Sequence, residues 1–200
     1  MKKNWLSYIC MAVLLSGILS SCNESSFLDL KDPNHFTGDN FWKNKADAES
    51  ALAAAYSPIK YQMYGYFGAF DGWLNLNGRG DDIFTITNEE PGMWAIANFQ
   101  NSPTTGNDPY GALFTGVQRA NVVLRYIDNV PATGITEEDR SMIKGEALFL
   151  RGYQYFLLVN NYKEVPLRII PSNEDEPNKP AASEAVLWKQ AEDDLSLIHI

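Results

Sequence analysis

Histidine and cysteine are nearly absent. The chain of 200 residues has two of each: His35 and His199, Cys10 and Cys22. Two histidines so placed form no H-E-x-x-H zinc pair, and most Ser-His-Asp or Cys-His schemes lose their base. There is no G-x-S-x-G elbow. Gly78-Arg79-Gly80 begins like a dinucleotide fingerprint, but Ile83 stands where a third glycine is needed. Basic residues are also scarce, 16 against 25 acids, for a formal net charge of −9. That excludes the basic stripe a nucleic-acid binder uses to displace counterions, and electrostatic docking on an anionic membrane. Long apolar runs are missing too. Trp5 to Leu19 falls short of the roughly 20 residues a bilayer span needs, and Ser16 and Gly17 weaken it. The acidic pairs Asp81-Asp82 and Glu89-Glu90 are adjacent residues, which point to opposite faces of a strand. Neither is set across one glycosidic bond by local geometry, and solvated acids or loop hydrogen bonds explain both.

What is present is ordinary globular composition, 45% apolar and 20% charged, with 12% aromatics that cluster. The N-terminus carries Lys2 and Lys3, the apolar run, and then Ser20-Ser21. This is the layout of an export signal over residues 1–21. Cleavage after Ser21 removes Cys10 and leaves Cys22 as the first residue. Cys22 then has no intrachain disulfide partner, and one thiol without a histidine cluster makes a poor metal site. Leu19-Ser20-Ser21-Cys22 resembles the bacterial lipoprotein box. That resemblance implies a diacylglycerol on the thiol and a third chain on the freed amine, enough acyl chain for stable anchoring. The alternative is an ordinary secretory signal with an incidental cysteine.

Residues 22–40 read as a polar tether and lead-in segment. A helix then follows Asn44, with Asp47 completing a capping box and Ala48, Leu52, Ala55 and Ile59 on its apolar face. Pro58 is expected to end or bend it. Residues 61–108 show no strong period and carry seven glycines and nine aromatics; a loop that long inside a compact domain is usually functional. A second helix is expected from Asp108-Pro109, with Tyr110, Leu113, Phe114, Val117, Ala120, Leu124 and Ile127 at helical spacing. "NVPATG" breaks it. A third helix runs from Thr136 to about Tyr162, with Glu137, Glu138 and Asp139 at its positive end. From Ala147 to Val159 it is apolar nearly all round, so burial on several sides is expected. The second and third helices should pair as an antiparallel hairpin. Glu146 and Arg151 read as buried, paired structural charges, and Asn121 as a helix-to-helix hydrogen bond. A proline-rich connector leads to a fourth helix capped by Ser183, with Leu187, Ala191 and Leu195 on one face. The apolar close "LSLIHI" reads as a non-native tail on a piece of a longer chain, and resembles a translated transposon-end adapter.

Several segments together resemble one family. They are "FWKNKADAESALAAAY", "LFTGVQRANVVLRYI", "GEALFLRGYQYFLLVNNYKEVPL" and "SEAVLWKQAEDDL", behind the lipoprotein signal. The chain resembles the SusD/RagB family, nutrient-binding outer-membrane lipoproteins of Bacteroidota. The most specific piece is Glu146-Ala147 through Phe149-Leu150-Arg151 to Tyr155-Phe156, continued by Val165-Pro166-Leu167. Gly152 stands where alanine is usual, and Lys163 where glycine usually follows Tyr162. The likeness runs over almost the whole chain but only the N-terminal part of the family's length. It implies a mainly α fold of tetratricopeptide-like helical pairs, with long aromatic-rich loops carrying the ligand surface. No clean repeat near the roughly 34-residue period is visible.

The resemblance also implies a function. It is capture of glycan at the outer membrane, capping a SusC-like TonB-dependent transporter that imports it, with no bond broken and no cofactor. Capture of peptides is the alternative within the same importer class, and a surface glycoside hydrolase the alternative from another. Surface exposure rests on the family, since "CNESS" holds only Glu24 after the lipid position. The candidate ligand residues lie in the 61–108 loop. Trp73 and Trp94 sit among Gly, Asn and Asp, the mixture that stacks on sugar faces and bonds hydroxyls. Arg79, Asp81 and Asp82 form its densest polar cluster. The competing reading for any single aromatic is core packing, and for the charges a loop salt bridge.

Overall fold

The computed structural model describes residues 41–64, 80–81, 94–95, 97–100 and 109–196. Their secondary structure is mainly helical, as expected. Helix α1 (Lys45–Tyr64) starts on a reciprocal capping box. Asn44 Oδ1 accepts the Asp47 N–H at 3.1 Å, and the Asp47 carboxylate accepts the Asn44 N–H at 3.2 Å. Two of the donors that a helix start leaves without partners are thereby satisfied.

Of the two outcomes expected at Pro58, an end or a bend, the helix does not end there. Pro58 lies inside α1, buried, and the helix runs on to Tyr64. Because proline has no N–H, the Ala54 carbonyl one turn back loses its helical donor. Arg119 from the next helix replaces it: Nη1 donates to Ala54 O at 2.9 Å. Ser57 Oγ donates to the same carbonyl and accepts from Arg119. A partner 65 residues away thus removes much of the penalty that the local rule predicts.

Helix α2 (Tyr110–Tyr126) follows Pro109, which sits at the cap and not at the first helical position; Asp108 lies outside the described residues. After a 3-10 turn (Ile127–Asn129), helix α3 (Glu137–Tyr162) begins at Thr136, whose hydroxyl accepts the Asp139 N–H at 3.1 Å. Helices α2 and α3 are antiparallel, since Ile127 meets Arg140, Asn121 meets Arg151 and Tyr110 meets Tyr162. The Arg140 guanidinium donates to the Ile127 and Val130 carbonyls just past the end of α2, the first of which also accepts the Val130 N–H at 3.2 Å. Helix α4 (Glu184–Ser196) runs back along α3. Ser183 precedes it, with its carbonyl accepting the Val186 and Leu187 N–H groups.

Two apolar cores result. Trp42, Leu52 and Ala55 meet Val123, Ile127, Ile143 and Leu150 between α1, α2 and α3. Leu113 and Val117 meet Tyr155, Leu158, Val165 and Leu187 between α2, α3 and α4. Helix α3 serves both, which is why it is apolar on several sides. Gly134 closes the first core: Lys45 N–H donates to its carbonyl at 2.8 Å, and a Cβ there would stand 2.3 Å from the Lys43 oxygen.

The proline-rich connector contains a short antiparallel pair that its sequence does not signal, β1 (Val165–Pro166) with β2 (Ala181–Ala182). The turn into β1 is tight. Lys163 has φ 66° and ψ −70°, and the Glu164 N–H reaches back to the Tyr162 carbonyl at 2.7 Å. That is a γ-turn in its strained, positive-φ form, and it gives a physical reason why glycine is usual at this place. Lys163→Gly should remove strain of about 1–2 kcal/mol. Against this stand the greater chain entropy of glycine and an exposed Lys163–Glu184 pair at 3.1 Å, worth little. The expected net is a stabilisation of about 1 kcal/mol by urea unfolding. Equal or lower stability would show that the turn is unstrained.

Candidate functional site

Of the residues singled out from sequence, Cys22, Trp73, Arg79 and Asp82 lie outside the described residues. Asp81 follows Gly80 at an exposed bend. Trp94 lies in a short helical turn in which Ala95 is buried. The Asn98 N–H and Nδ2 both donate to the Trp94 carbonyl, at 3.0 and 2.8 Å, and the Gln100 N–H donates to the Ala95 carbonyl at 2.7 Å. A bond spanning that many residues closes a Schellman-type end, whose left-handed position usually holds glycine.

Here that position holds Phe99, with φ 57°. A side chain in this conformation costs about 1–2 kcal/mol. Phe99 is also 72% exposed, so burial gives nothing back. Trp94, 37% exposed, is presented by the same turn. One turn therefore displays two aromatic rings, flanked by the amides of Asn98 and Gln100. In the sequence Phe99 is one of many loop aromatics. The available signal was its setting, a lone ring in the polar run Asn98-Phe99-Gln100-Asn101-Ser102.

The helical body is held by a buried polar network. Arg151 Nε and Nη2 each donate to the Asp194 carboxylate at 2.7 Å, a bidentate pair. Arg151 is thus a buried, paired charge, as expected. Glu146 departs from that expectation: it is partly exposed and accepts the Tyr56 hydroxyl at 2.8 Å. Burial, and then that carboxylate, push the Tyr56 phenol up to about 12. Arg151 Nη1 also donates to Asn121 Oδ1 at 3.0 Å, and Asn121 Nδ2 donates to the Arg168 and Ile170 carbonyls, both at 3.1 Å. Tyr155 Oη donates to the Arg168 carbonyl and accepts the Arg168 N–H. The connector is fastened to α2 and α3 by side chains that all expect buried partners. Gly152 lets α4 come close, since a Cβ there would stand 3.0 Å from Asp194 Cβ and 3.2 Å from the Ala191 oxygen.

The carboxylates with shifted titration act as acceptors for cations. The Lys45 ammonium and the Thr136 hydroxyl hold Asp139 below its usual value. Arg125 and Tyr126 do the same for Glu174, and Lys163 and Trp188 for Glu184. Burial would raise Asp175, but Lys179, the Glu176 N–H and Arg168 outweigh it. Each is depressed in the folded state, so each adds stability above the ordinary carboxylate range that disappears as pH falls through the native value. We expect the urea midpoint to hold from neutral pH down to about 4.5 and to decline gradually below it, since these pairs lie near the surface and are screened by solvent. A midpoint that rises on acidification would contradict these pairings. Among the described residues, no group of three His, Cys, Asp or Glu side chains is placed to hold a metal, and no helix is long and apolar enough to cross a membrane.

Comparison with known proteins adds a second line of observation. Residues 26–197 match the profile of the SusD-like family, described as starch-binding and associating with the outer membrane. A SusD-like protein of Formosa agariphila is 27% identical over 173 residues, which is 84% of this chain and 31% of that protein. A solved structure described as a laminarin-binding SusD-like protein is 27% identical with TM-score 0.65, over 78% of this chain and 34% of that one. A SusD superfamily protein of Bacteroides vulgatus is 26% identical with TM-score 0.65, over 79% and 34%. The chain thus spans about a third of the length of the relatives it matches.

Proposed function

The chain belongs to the SusD-like family, and from that membership we propose that it is a glycan-capturing protein of the outer membrane that works without breaking bonds. The observation that carries this reading is the pairing of Trp94 and Phe99 on one exposed turn, within a chain matched to starch-binding proteins over residues 26–197. Aromatic faces stack on the C–H faces of sugar rings, and neighbouring amides bond the hydroxyls. Phe99 bears both a conformational and a solvation cost that folding does not require, and contact with a ligand offsets both. Trp73, Arg79, Asp81 and Asp82 complete the proposed surface from the same loop. A neutral glycan is compatible with the acidic chain. The laminarin-binding relative favours glycan over peptide as cargo and over hydrolysis as chemistry.

The protein is held to the membrane through lipid on Cys22 and faces the cell exterior. It holds its ligand over a SusC-like TonB-dependent transporter, and release into the barrel follows a change in the populations of open and closed states. Titration calorimetry with laminarin and maltose oligosaccharides tests the binding step. Trp94→Ala and Phe99→Ala should each weaken binding by about 1–2 kcal/mol, roughly tenfold, and Trp73→Ala should add to the loss. Unchanged affinity in Trp94→Ala and Phe99→Ala together would remove this turn from the site. Shortened oligosaccharides produced by the pure protein would replace the binding reading with hydrolysis.

A further inference from the structure

Among the described residues, both non-glycine residues with positive φ, Phe99 and Lys163, follow asparagines that clasp their own helical turn. Ahead of Lys163, Asn160 Nδ2 donates to the Phe156 carbonyl and Asn161 Nδ2 to the Leu157 carbonyl, both at 2.8 Å. Ahead of Phe99, Asn98 Nδ2 donates to the Trp94 carbonyl, also at 2.8 Å. Each bond reaches four residues back, and each lies where the chain leaves helical geometry for a left-handed residue. At the end of α3 the clasp is one contact among many, since Leu157, Leu158 and Val159 are buried in a core. The Trp94 turn has less support. Helical turns this short are marginal by themselves. Trp94, Asn98, Phe99 and Gln100 are exposed, and Ala95 is the buried member. The Asn98 carboxamide therefore carries a larger share of the order of its turn than the same bond carries in α3.

A carbonyl oxygen only accepts, so the end of the carboxamide that meets Trp94 is its NH2 group. What the turn uses is a donor at position 98. Ser50 and Thr115 make the same kind of bond elsewhere in the chain, their hydroxyls donating to the carbonyls of Ala46 and Gly111 at 2.7 and 2.8 Å. A hydroxyl can therefore replace the amide. A carboxylate cannot. At neutral pH it has no proton to donate, and its charge would face the Trp94 carbonyl at the negative end of the turn.

We propose that Asn98 is a positioning residue for ligand capture. Through the Trp94 carbonyl it fixes the turn that carries the Trp94 and Phe99 rings, so a glycan does not have to order that turn as it binds. The inference rests on the reading of this turn as a glycan surface. The test compares Asn98→Asp with Asn98→Ser in the whole protein, purified from the membrane in detergent. Affinity is read by calorimetry with laminarin and maltose oligosaccharides. Ring order is read without ligand by fluorine NMR of fluorotryptophan-labelled protein, with Trp94→Phe identifying the Trp94 line. Asn98→Asp should weaken binding about fivefold. It should also shift or broaden the Trp94 line while those of Trp42 and Trp188 stay in place. Asn98→Ser should keep both readouts near the parent values. A residue that touched sugar through Oδ1 would behave in the opposite way, because aspartate keeps that acceptor. The reversed order, or an unmoved Trp94 line in Asn98→Asp, would overturn the proposal. Loss of affinity in the Trp94→Ala, Phe99→Ala protein but not in Asn98→Asp would remove the proposal alone. Full affinity in that double variant would remove the glycan reading of the turn, and the proposal with it.

Discussion

Asp194→Ala should destabilise the helical body by about 3–5 kcal/mol. The Asp194 side chain is 3% exposed and Arg151 10%, so the variant leaves a guanidinium in the interior with Nε and Nη2 unmatched. Asn121 and the Ile169 carbonyl both contact Nη1, at 3.0 and 3.3 Å, and neither can serve the other two nitrogens. The loss should lower the urea midpoint by about 2 M. Since a domain's whole stability is about 5–15 kcal/mol, part of the protein should be unfolded at 37 °C. The cause is the stranded charge and not the missing attraction. Arg151→Met combined with Asp194→Leu should therefore recover most of the loss, because an apolar pair of similar volume avoids burying an unpaired ion. A single variant costing less than about 1 kcal/mol, or a double variant as damaging as the singles combined, would contradict a buried ion pair as the clasp between α3 and α4.

The second large effect is expected at the other end of the chain. Cys22→Ser should abolish membrane attachment. A serine accepts no thioether-linked diacylglycerol, and each buried methylene of the missing chains forfeits about 0.8 kcal/mol of partition free energy. Labelling with radioactive palmitate and fractionation of membranes will read the result. The variant should take up no label, keep its signal segment and leave the outer-membrane fraction. Normal processing, with the protein still in that fraction, would refute the anchor and return Cys22 to an incidental residue behind an ordinary secretory signal. Glycan affinity measured in solution should not change, because the proposed ligand turn at Trp94 and Phe99 is formed without lipid.

The helix starts were legible because capping is a local matter. Asn44 with Asp47, and Thr136 with Asp139, satisfy donors within one turn, so three or four residues of sequence hold the whole interaction. The buried faces followed for the same reason: Ala48, Leu52 and Ala55 on α1, and Leu187 and Ala191 on α4, recur at the helical period. How the carbonyl one turn before Pro58 is satisfied depends on Arg119, which the local chain does not contain. Arg151 was correctly read as a paired charge, but its partner lies 43 residues further on. Phe99 stands out in the sequence only as a lone ring in a polar run; its positive φ is imposed by the end of a helical turn and leaves no mark in composition.

The sequence by itself determined where the helices capped by Asn44 and Thr136 begin, the apolar faces and the family likeness. Each depends on residues close along the chain or on the order of segments. Only the tertiary structure decided which partners the buried charges take, how the Ala54 carbonyl is satisfied and why Lys163 is strained. Those outcomes belong to groups that are distant in sequence and meet only after packing. Burial there makes an unmatched polar group costly, so which helices come together, and not the local pattern, selects the partner.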